Sequence, residues 1–351
     1  MRFLLKILIY PFSILFGFFT LFRNKIYDWK IFKSSTFDIP IICVGNISMG
    51  GTGKSPLIEY LLRLLLKNEI KVATLSRGYG RRTKGFLIAT NKSTSRIIGD
   101  EPKQFFNKFQ NICVAVCENR RLGIQNLLGS CTNVEVILLD DAFQHRRVIA
   151  GISILLSEYE NLYTDDCMLP SGRLREFRNG ATRAEIIIIT KSPYNITESD
   201  KQSITKKLKP KPNQTVFFSH LKYNNPISFS NKNDFDFINP VDILLFTGIA
   251  NPKPLESFLA KEYKIHTIIH FRDHHNYSTS DILQITEKFN NIVSENKIIL
   301  TTEKDFVRLV DIEKFKKLNS LPIFYIPIEM DFGIEDKKIF DQIILNYARK
   351  N

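Results

Sequence analysis

The densest chemistry in the chain lies in "VGNISMGGTGKSP", residues 44–56, where Gly50, Gly51 and Gly53 are followed at once by Lys54 and Ser55. Glycines let successive backbone N–H groups turn toward one point, and a helix starting behind them adds partial positive charge. Together they cradle phosphate oxygens. In such a loop residues 50–53, Thr52 included, wrap the phosphates. Lys54 then contacts the β- and γ-phosphates, and the Ser55 hydroxyl is a magnesium ligand. The general spacing G-x-x-x-x-G-K-[ST] would put glycine at position 48, where this chain has Ser48. The stretch is therefore either a nucleotide site with one altered residue or a glycine turn that imitates one.

Two acidic groups bear on that choice. "VILLDDAFQH" (136–145) is an apolar run ending in Asp140 and Asp141, where a phosphate-loop enzyme needs carboxylates for Mg²⁺. "IIGDEP" (97–102) carries Asp100 and Glu101. One could serve a substrate and the other the metal, or both could favour a helix N-terminus; spacing alone divides these evenly. His266, His270 and His274 recur every four residues, but in a β-rich run that interval spans roughly 13 Å. Zinc holds its ligands at about 2 Å, so no zinc site is expected there.

Positioning these groups requires a sheet. Strands read within 39–46, 71–82, 133–147, 152–158 and 184–192 alternate with helical segments, the clearest being "SPLIEYLLRLLLKN" at 55–68. Strands apolar on both faces, separated by helices, indicate an α/β fold with a mostly parallel sheet flanked by helices. From about 194 to 238 the composition turns polar, and a second, smaller α/β alternation follows. The expected division is an N-terminal helix over 1–30, a phosphate-loop domain over 31–205, a linker over 206–238 and a smaller domain over 239–351. A chain of 351 residues is long enough for two domains.

The net charge of +13 favours anionic partners, yet the basic residues are spread out and no nucleic-acid-reading signature occurs. No nucleic-acid partner and a monomer are expected. Five cysteines without a C-x-x-C pair suit reduced thiols. Residues 3–22, "FLLKILIYPFSILFGFFTLF", are almost wholly apolar, with Lys6 and Pro11 inside and Arg2, Arg23, Lys25 and Lys30 around them. The stretch barely reaches the roughly 20 residues of a bilayer span, so it reads as an interfacial anchor on an anionic membrane surface.

Taken together, "VGNISMGGTGKSP", "LSRGYGRR", "GDEP", "LLDDAFQHRR", "LPSGRLRE", "TGIANP", "FRDHHNYS" and "TTEKD" resemble the tetraacyldisaccharide 4′-kinase family of lipid A biosynthesis. They occur in that family's order over residues 41–305, and the family is similar in having serine where Ser48 stands. The resemblance implies ATP with Mg²⁺ as cofactors and a glycolipid substrate, a lipid A disaccharide 1-phosphate, phosphorylated on its 4′-hydroxyl at the cytoplasmic face of the bacterial inner membrane. It implies Asp100 as the base assisted by His274, and Glu101, Asp140, Asp141 and Ser55 as the magnesium shell with Lys54 on the phosphates. Arg77, Tyr79, Gln144, His145, Arg173 and Glu176 would line the substrate site. Ala142, Ser171 and Phe177 depart from the family's usual residues, and a left-handed backbone at Ala142 would cost roughly 1 kcal/mol.

Two rivals make different demands. A membrane-associated GTPase switch needs a guanine-reading N/T-K-x-D, and "TKSP" (190–193) has Pro193 where the aspartate belongs. A non-catalytic anionic-lipid-binding protein would be free to lose Lys54, Asp140 or Asp141, and all three are present.

Overall fold

The computed structural model describes residues 2–229, 241–310 and 321–349, with side chains from residue 9 onward. The first sheet collects β1 (Ile41–Gly45), β2 (Val72–Ser76), β3 (Leu87–Ile88), β4 (Cys113–Val116), β5 (Val136–Asp140), β6 (Ile152–Glu158), β7 (Ile186–Thr190) and β8 (Thr215–Tyr223). A late strand, β14 (Ile328–Phe332), joins them in the order β14-β8-β7-β6-β1-β5-β2-β4-β3. The inner pairings are parallel, and only the edge strands β3 and β14 run antiparallel to their neighbours.

Every residue of β1, β2, β5 and β7 is buried, as a parallel sheet covered on both faces requires. Helix α2 (Lys54–Lys67) covers one face by burying Leu57, Ile58, Leu61, Leu62 and Leu65, a stripe at helical period. Each such side chain contributes about 1.5–3 kcal/mol on burial, so α2, and the turn that precedes it, is held firmly on the sheet. Helix α4 (Asp100–Lys108) begins at "GDEP", and α5 (Arg120–Ser130) lies over β2 and β4.

The second sheet has the order β11-β10-β12-β13-β9, from β9 (Ile227–Ser228), β10 (Asp242–Thr247), β11 (Lys264–His270), β12 (Lys297–Thr302) and β13 (Ile323–Ile326). Helices α7 (Lys253–Glu262), α8 (Thr279–Asn290) and α9 (Glu303–Val310) accompany it. α8 starts at a capping box in which Ser278 and Asp281 satisfy each other's backbone N–H.

The boundaries differ from the expected division. β8 lies inside the presumed linker 206–238 yet pairs with β7 and buries Phe217 and Phe218 together with the polar Ser219 and His220. Positions 230–238 of that linker lie outside the described residues. The last stretch also returns: β14 pairs with β8, and α10 (Ile334–Ala348) buries Phe340 and Ile344 in the first sheet's core. The chain thus crosses between sheets at residues 224–226 and again at Pro327, and the two crossings meet where Asn224 N donates to the Pro327 carbonyl at 3.0 Å.

The cysteine expectation is corrected at one pair. The end of α5 returns Cys131 beside the start of β4, and it is joined to Cys113 in a disulfide; Cys43, Cys117 and Cys167 are free.

Helix α1 (Arg2–Asp28) contains Pro11 and is built inside out relative to an ordinary surface helix. Its inward face is small and polar. Ser13 Oγ accepts from Ser171 N at 2.9 Å, and Gly17 lies so close to the Phe177 ring that an added Cβ would stand 2.7 Å from it. Thr20 is buried, and Asn24 Nδ2 donates to Glu176 at 2.9 Å. The outward face carries Phe12, Leu15, Phe18, Phe19 and Phe22, each 60–70% exposed. Among the described residues no helix is long and apolar enough to cross a membrane.

Candidate active site

The glycine loop spans the gap between β1 and α2 at the carboxyl end of the first sheet, where open α/β folds bind ligands. Residues 47–49 run extended beside 173–175: Met49 N donates to the Arg173 carbonyl and Arg175 N to the Ile47 carbonyl, both at 2.7 Å. Ser48 bridges Leu174 in this pairing. Extended backbone suits any residue, so position 48 needs no glycine. The left-handed turns fall at Gly50 (φ 121°) and Gly53 (φ 87°). A Cβ added at Gly50 or Gly51 would meet nothing within 4 Å, so the hollow above the loop is open to a phosphate. Thr52 is fixed from both sides, its hydroxyl accepting from Asn46 Nδ2 at 2.7 Å and its carbonyl from Thr190 Oγ1 at 2.9 Å.

Lys54, the first residue of α2, stands 3.8 Å from Asp141 Oδ1, and Arg175 Nη2 is 2.9 Å from the same oxygen. Burial opposes ionisation of Asp141, but these cations outweigh it and hold its carboxyl below the usual range. Asp141 also carries the left-handed conformation (φ 46°), which aspartate tolerates. Ala142 is therefore not strained, and the expected penalty there does not arise. Asp140 behaves oppositely: burial, then the charges of Asp141 and Glu101, push its carboxyl up to about 7. Its Oδ1 is buried without a hydrogen-bond partner. An orphaned carboxylate oxygen beside a second carboxylate fits a hard divalent cation, which keeps waters and phosphate oxygens as its other ligands. Ser55 lies in the first turn of α2. Among the described residues no three acidic, histidine or cysteine side chains converge as a ready-made metal site, and Glu101 faces Lys304 Nζ at 2.7 Å.

The second sheet contributes across the cleft. His274, at the turn after β11 with φ 55°, sets its Nδ1 3.0 Å from Asp100 Oδ2. Arg308 Nε on α9 donates to the same oxygen at 2.7 Å. Burial works against Asp100 ionising, yet these partners keep its carboxyl below the ordinary value. The hydrogen bond to Asp100 in turn raises His274. Tyr79 is exposed, with its ring 5.4 Å from that of His274. A carboxylate held ionised beside an imidazole can accept a hydroxyl proton.

The remaining sequence-marked residues divide. Gln144 Nε2 donates to the Asn46 carbonyl at 2.8 Å and to Glu176 at 3.0 Å, linking the glycine loop to α1 through Glu176. Glu176 is buried and paired with Arg183 at 2.8 Å. Burial, then the Arg120 and Arg77 charges, bring His145 down to about 4; it is neutral near pH 7. Arg77 is exposed. Arg173 is committed to Asp166 at 2.8 Å, with Glu158 at 3.7 Å, rather than to the phosphate loop.

Several residues at the site went unmarked in the sequence. Arg175 reaches Asp141 and Asn46; strand period places it on the face of Arg173, with buried Leu174 turned inward. Arg120 is buried beneath the aspartates and donates to the Cys117 and Asp140 carbonyls. Lys304 and Arg308 share a helical face four residues apart, a signal that exists only once 303–310 is known to be helical.

The match to known proteins covers nearly the whole chain. The family model for tetraacyldisaccharide-1-P 4′-kinase matches residues 5–349. The tetraacyldisaccharide 4′-kinase of Flavobacterium psychrophilum is 47% identical over 100% of this chain and 99% of its own length. That of Bacteroides thetaiotaomicron is 44% identical over 98% of this chain and 93% of its own. A crystal structure of the "apo" form of LpxK from Aquifex aeolicus in complex with ATP superposes with a TM-score of 0.77, at 27% identity, covering 98% of this chain and 99% of that one. With glycine loop, paired carboxylates and the Asp100–His274 contact in place, the chain belongs to the tetraacyldisaccharide-1-P 4′-kinase family.

Proposed function

We propose that the protein transfers the γ-phosphate of ATP to the 4′-hydroxyl of a lipid A disaccharide 1-phosphate. The observation that carries this reading is the Asp100–His274 contact at 3.0 Å. Asp100 is followed in the chain by Glu101, whose charge is felt at Asp140 beside the glycine loop. A base for the acceptor hydroxyl thereby adjoins a cradle for the donor phosphates.

Phosphoryl transfer is mainly positioning and charge neutralisation. The backbone of Gly50 to Gly53 and the Lys54 ammonium hold the phosphates. Asp140 and Ser55, with Asp141 behind them, would hold Mg²⁺, which when bound neutralises charge on the β- and γ-oxygens. Glu101, expected in that shell, holds Lys304 Nζ through its Oε1. A sugar hydroxyl has a pKa far above 7, so Asp100 accepts its proton as attack proceeds, and His274 orients the carboxylate. Since the dyad spans the two sheets, catalysis requires them to be apposed. Tyr79, exposed beside His274, offers its ring to the sugar, and Arg77, Gln144 and His145 line the approach.

α1 supports a membrane surface as the place of action. Its polar inward face is tied to Ser171, Phe177 and Glu176 while, among the described residues, its aromatic face is left exposed. Such a face enters the acyl region while Arg23, Lys25 and Lys30 meet anionic headgroups. Loop, carboxylates and dyad all come from one chain, so the proposed reaction needs no second copy.

The test is the reaction. Purified protein in detergent with Mg²⁺ and ATP should convert the disaccharide 1-phosphate into a product heavier by one phosphate, seen by mass spectrometry. Absence of that product with GTP hydrolysed instead would replace the kinase by a switch.

A further inference from the structure

Three sequence motifs of the second sheet, "TGIANP", "FRDHHNYS" and "TTEKD", converge on one side chain that lies in none of them: Arg308. Its guanidinium is 5% exposed and all three nitrogens are engaged. Nη1 donates to the Gly248 carbonyl and to Asp305 Oδ1, each at 2.9 Å. Nε donates to Asp100 Oδ2 at 2.7 Å, and Nη2 lies 3.3 Å from His274 Nδ1.

The anchor beneath it is rigid. Asp305 is fully buried, and its Oδ2 accepts from Gly248 N at 3.0 Å and Thr302 Oγ1 at 2.6 Å. The Gly248 carbonyl accepts from His274 N at 3.2 Å as well as from Arg308, so one backbone oxygen places both partners of Asp100. A larger residue at position 248 would displace Asp305, since an added Cβ would stand 2.9 Å from its Oδ1. A planar fork bound at one end to a buried carboxylate can fix a second carboxylate at the other, which a flexible ammonium cannot do.

His274 Nδ1 faces two partners but has one site. It can donate a proton to Asp100 or accept one from Arg308 Nη2, not both. The guanidinium and the Asp100 carboxylate thus compete for the one imidazole nitrogen.

We propose that Arg308 is a positioning residue for phosphoryl transfer: anchored on Asp305 and Gly248, it holds the Asp100 carboxylate of the first sheet in register with His274 of the second. It touches neither ATP nor sugar and acts through Asp100. Lys304, one helical turn earlier, pairs with the neighbouring Glu101 through a single ammonium contact at 2.7 Å.

The inference rests on the kinase reading, and a double-mutant cycle on the full chain separates the two. In the lipid-phosphorylation assay Arg308→Met should lower kcat about 100-fold, with KM for ATP and for the lipid changed less than about threefold. Arg308→Lys keeps the buried charge but loses the fork, and should fall about tenfold; it decides the matter if the methionine variant does not fold, ATP binding serving as the check. Added guanidinium ion should restore part of the activity of Arg308→Ala. In an Asp100→Asn background, Arg308→Lys should cost less than about threefold, because the group it acts through has gone. Equal losses in both backgrounds, or an undiminished kcat in Arg308→Lys, would overturn the inference. A wild-type protein that makes no phosphorylated lipid would instead overturn the kinase reading.

Discussion

The two ends of the site are built differently. The phosphate end is contiguous: residues 46–55 carry cradle, cation and hydroxyl, and the facing carboxylates close the adjacent strand β5. The proposed acceptor end is assembled around Asp100 from His274 and Arg308, 174 and 208 residues further along the chain. The first depends on local backbone geometry seated on a parallel sheet; the second depends on two sheets meeting. Damage to the glycine loop should therefore abolish nucleotide binding and turnover together. Damage to the second sheet should lower turnover and spare nucleotide binding.

The sharpest break at the phosphate end is Lys54→Ala. Loss of its charge should reduce turnover by about 10³-fold or more and also weaken ATP binding, read by calorimetry. At the acceptor end Gly248→Ala should lower kcat about tenfold, since the added methyl displaces Asp305 and with it Arg308, and should cost about 1–3 kcal/mol of stability. ATP affinity should remain within about threefold of wild type; a matching loss there would erase the contrast between the two ends.

A smaller effect concerns His145. Burial lowers its folded pKa to about 4, below the ordinary value near 6.5. The unfolded chain therefore binds the proton more readily, and stability falls as pH drops from about 6.5 toward 4. His145→Gln should flatten that slope in denaturant midpoints measured across this range; an unchanged slope would mean the ring is solvated. Smallest for the fold is the outer face of α1. Phe12→Ser with Phe19→Ser should alter stability by less than about 0.5 kcal/mol each while weakening binding to anionic vesicles about tenfold or more. Unaltered vesicle binding would remove α1 as the docking surface.

The contrast also explains what could be read from the residues alone. The sheet class and the phosphate loop were legible because strand burial and glycine spacing are local properties. Within the loop, position 48 was ambiguous, and the extended pairing of Ser48 with Leu174, which no local rule contains, accounts for it. The return of β14 and α10 to the first sheet was not legible, because pairing with β8 depends on contacts across more than a hundred residues. Arg308 was invisible for the same reason: its partners are named in three motifs, while its own position follows from α9 docking on α4. Arg173 was marked and Arg175 was not, although both lie on one face, since a motif shows which residues recur and not which of two arginines reaches the carboxylate.

The base at the acceptor end should be separable from the nucleotide site. Side-by-side measurement of lipid phosphorylation and ATP affinity in wild type and Asp100→Ala tests it most directly. Turnover should fall by about 10²–10⁴-fold while the dissociation constant for ATP stays within about threefold. A variant that phosphorylates the lipid at near wild-type rate would contradict the claim.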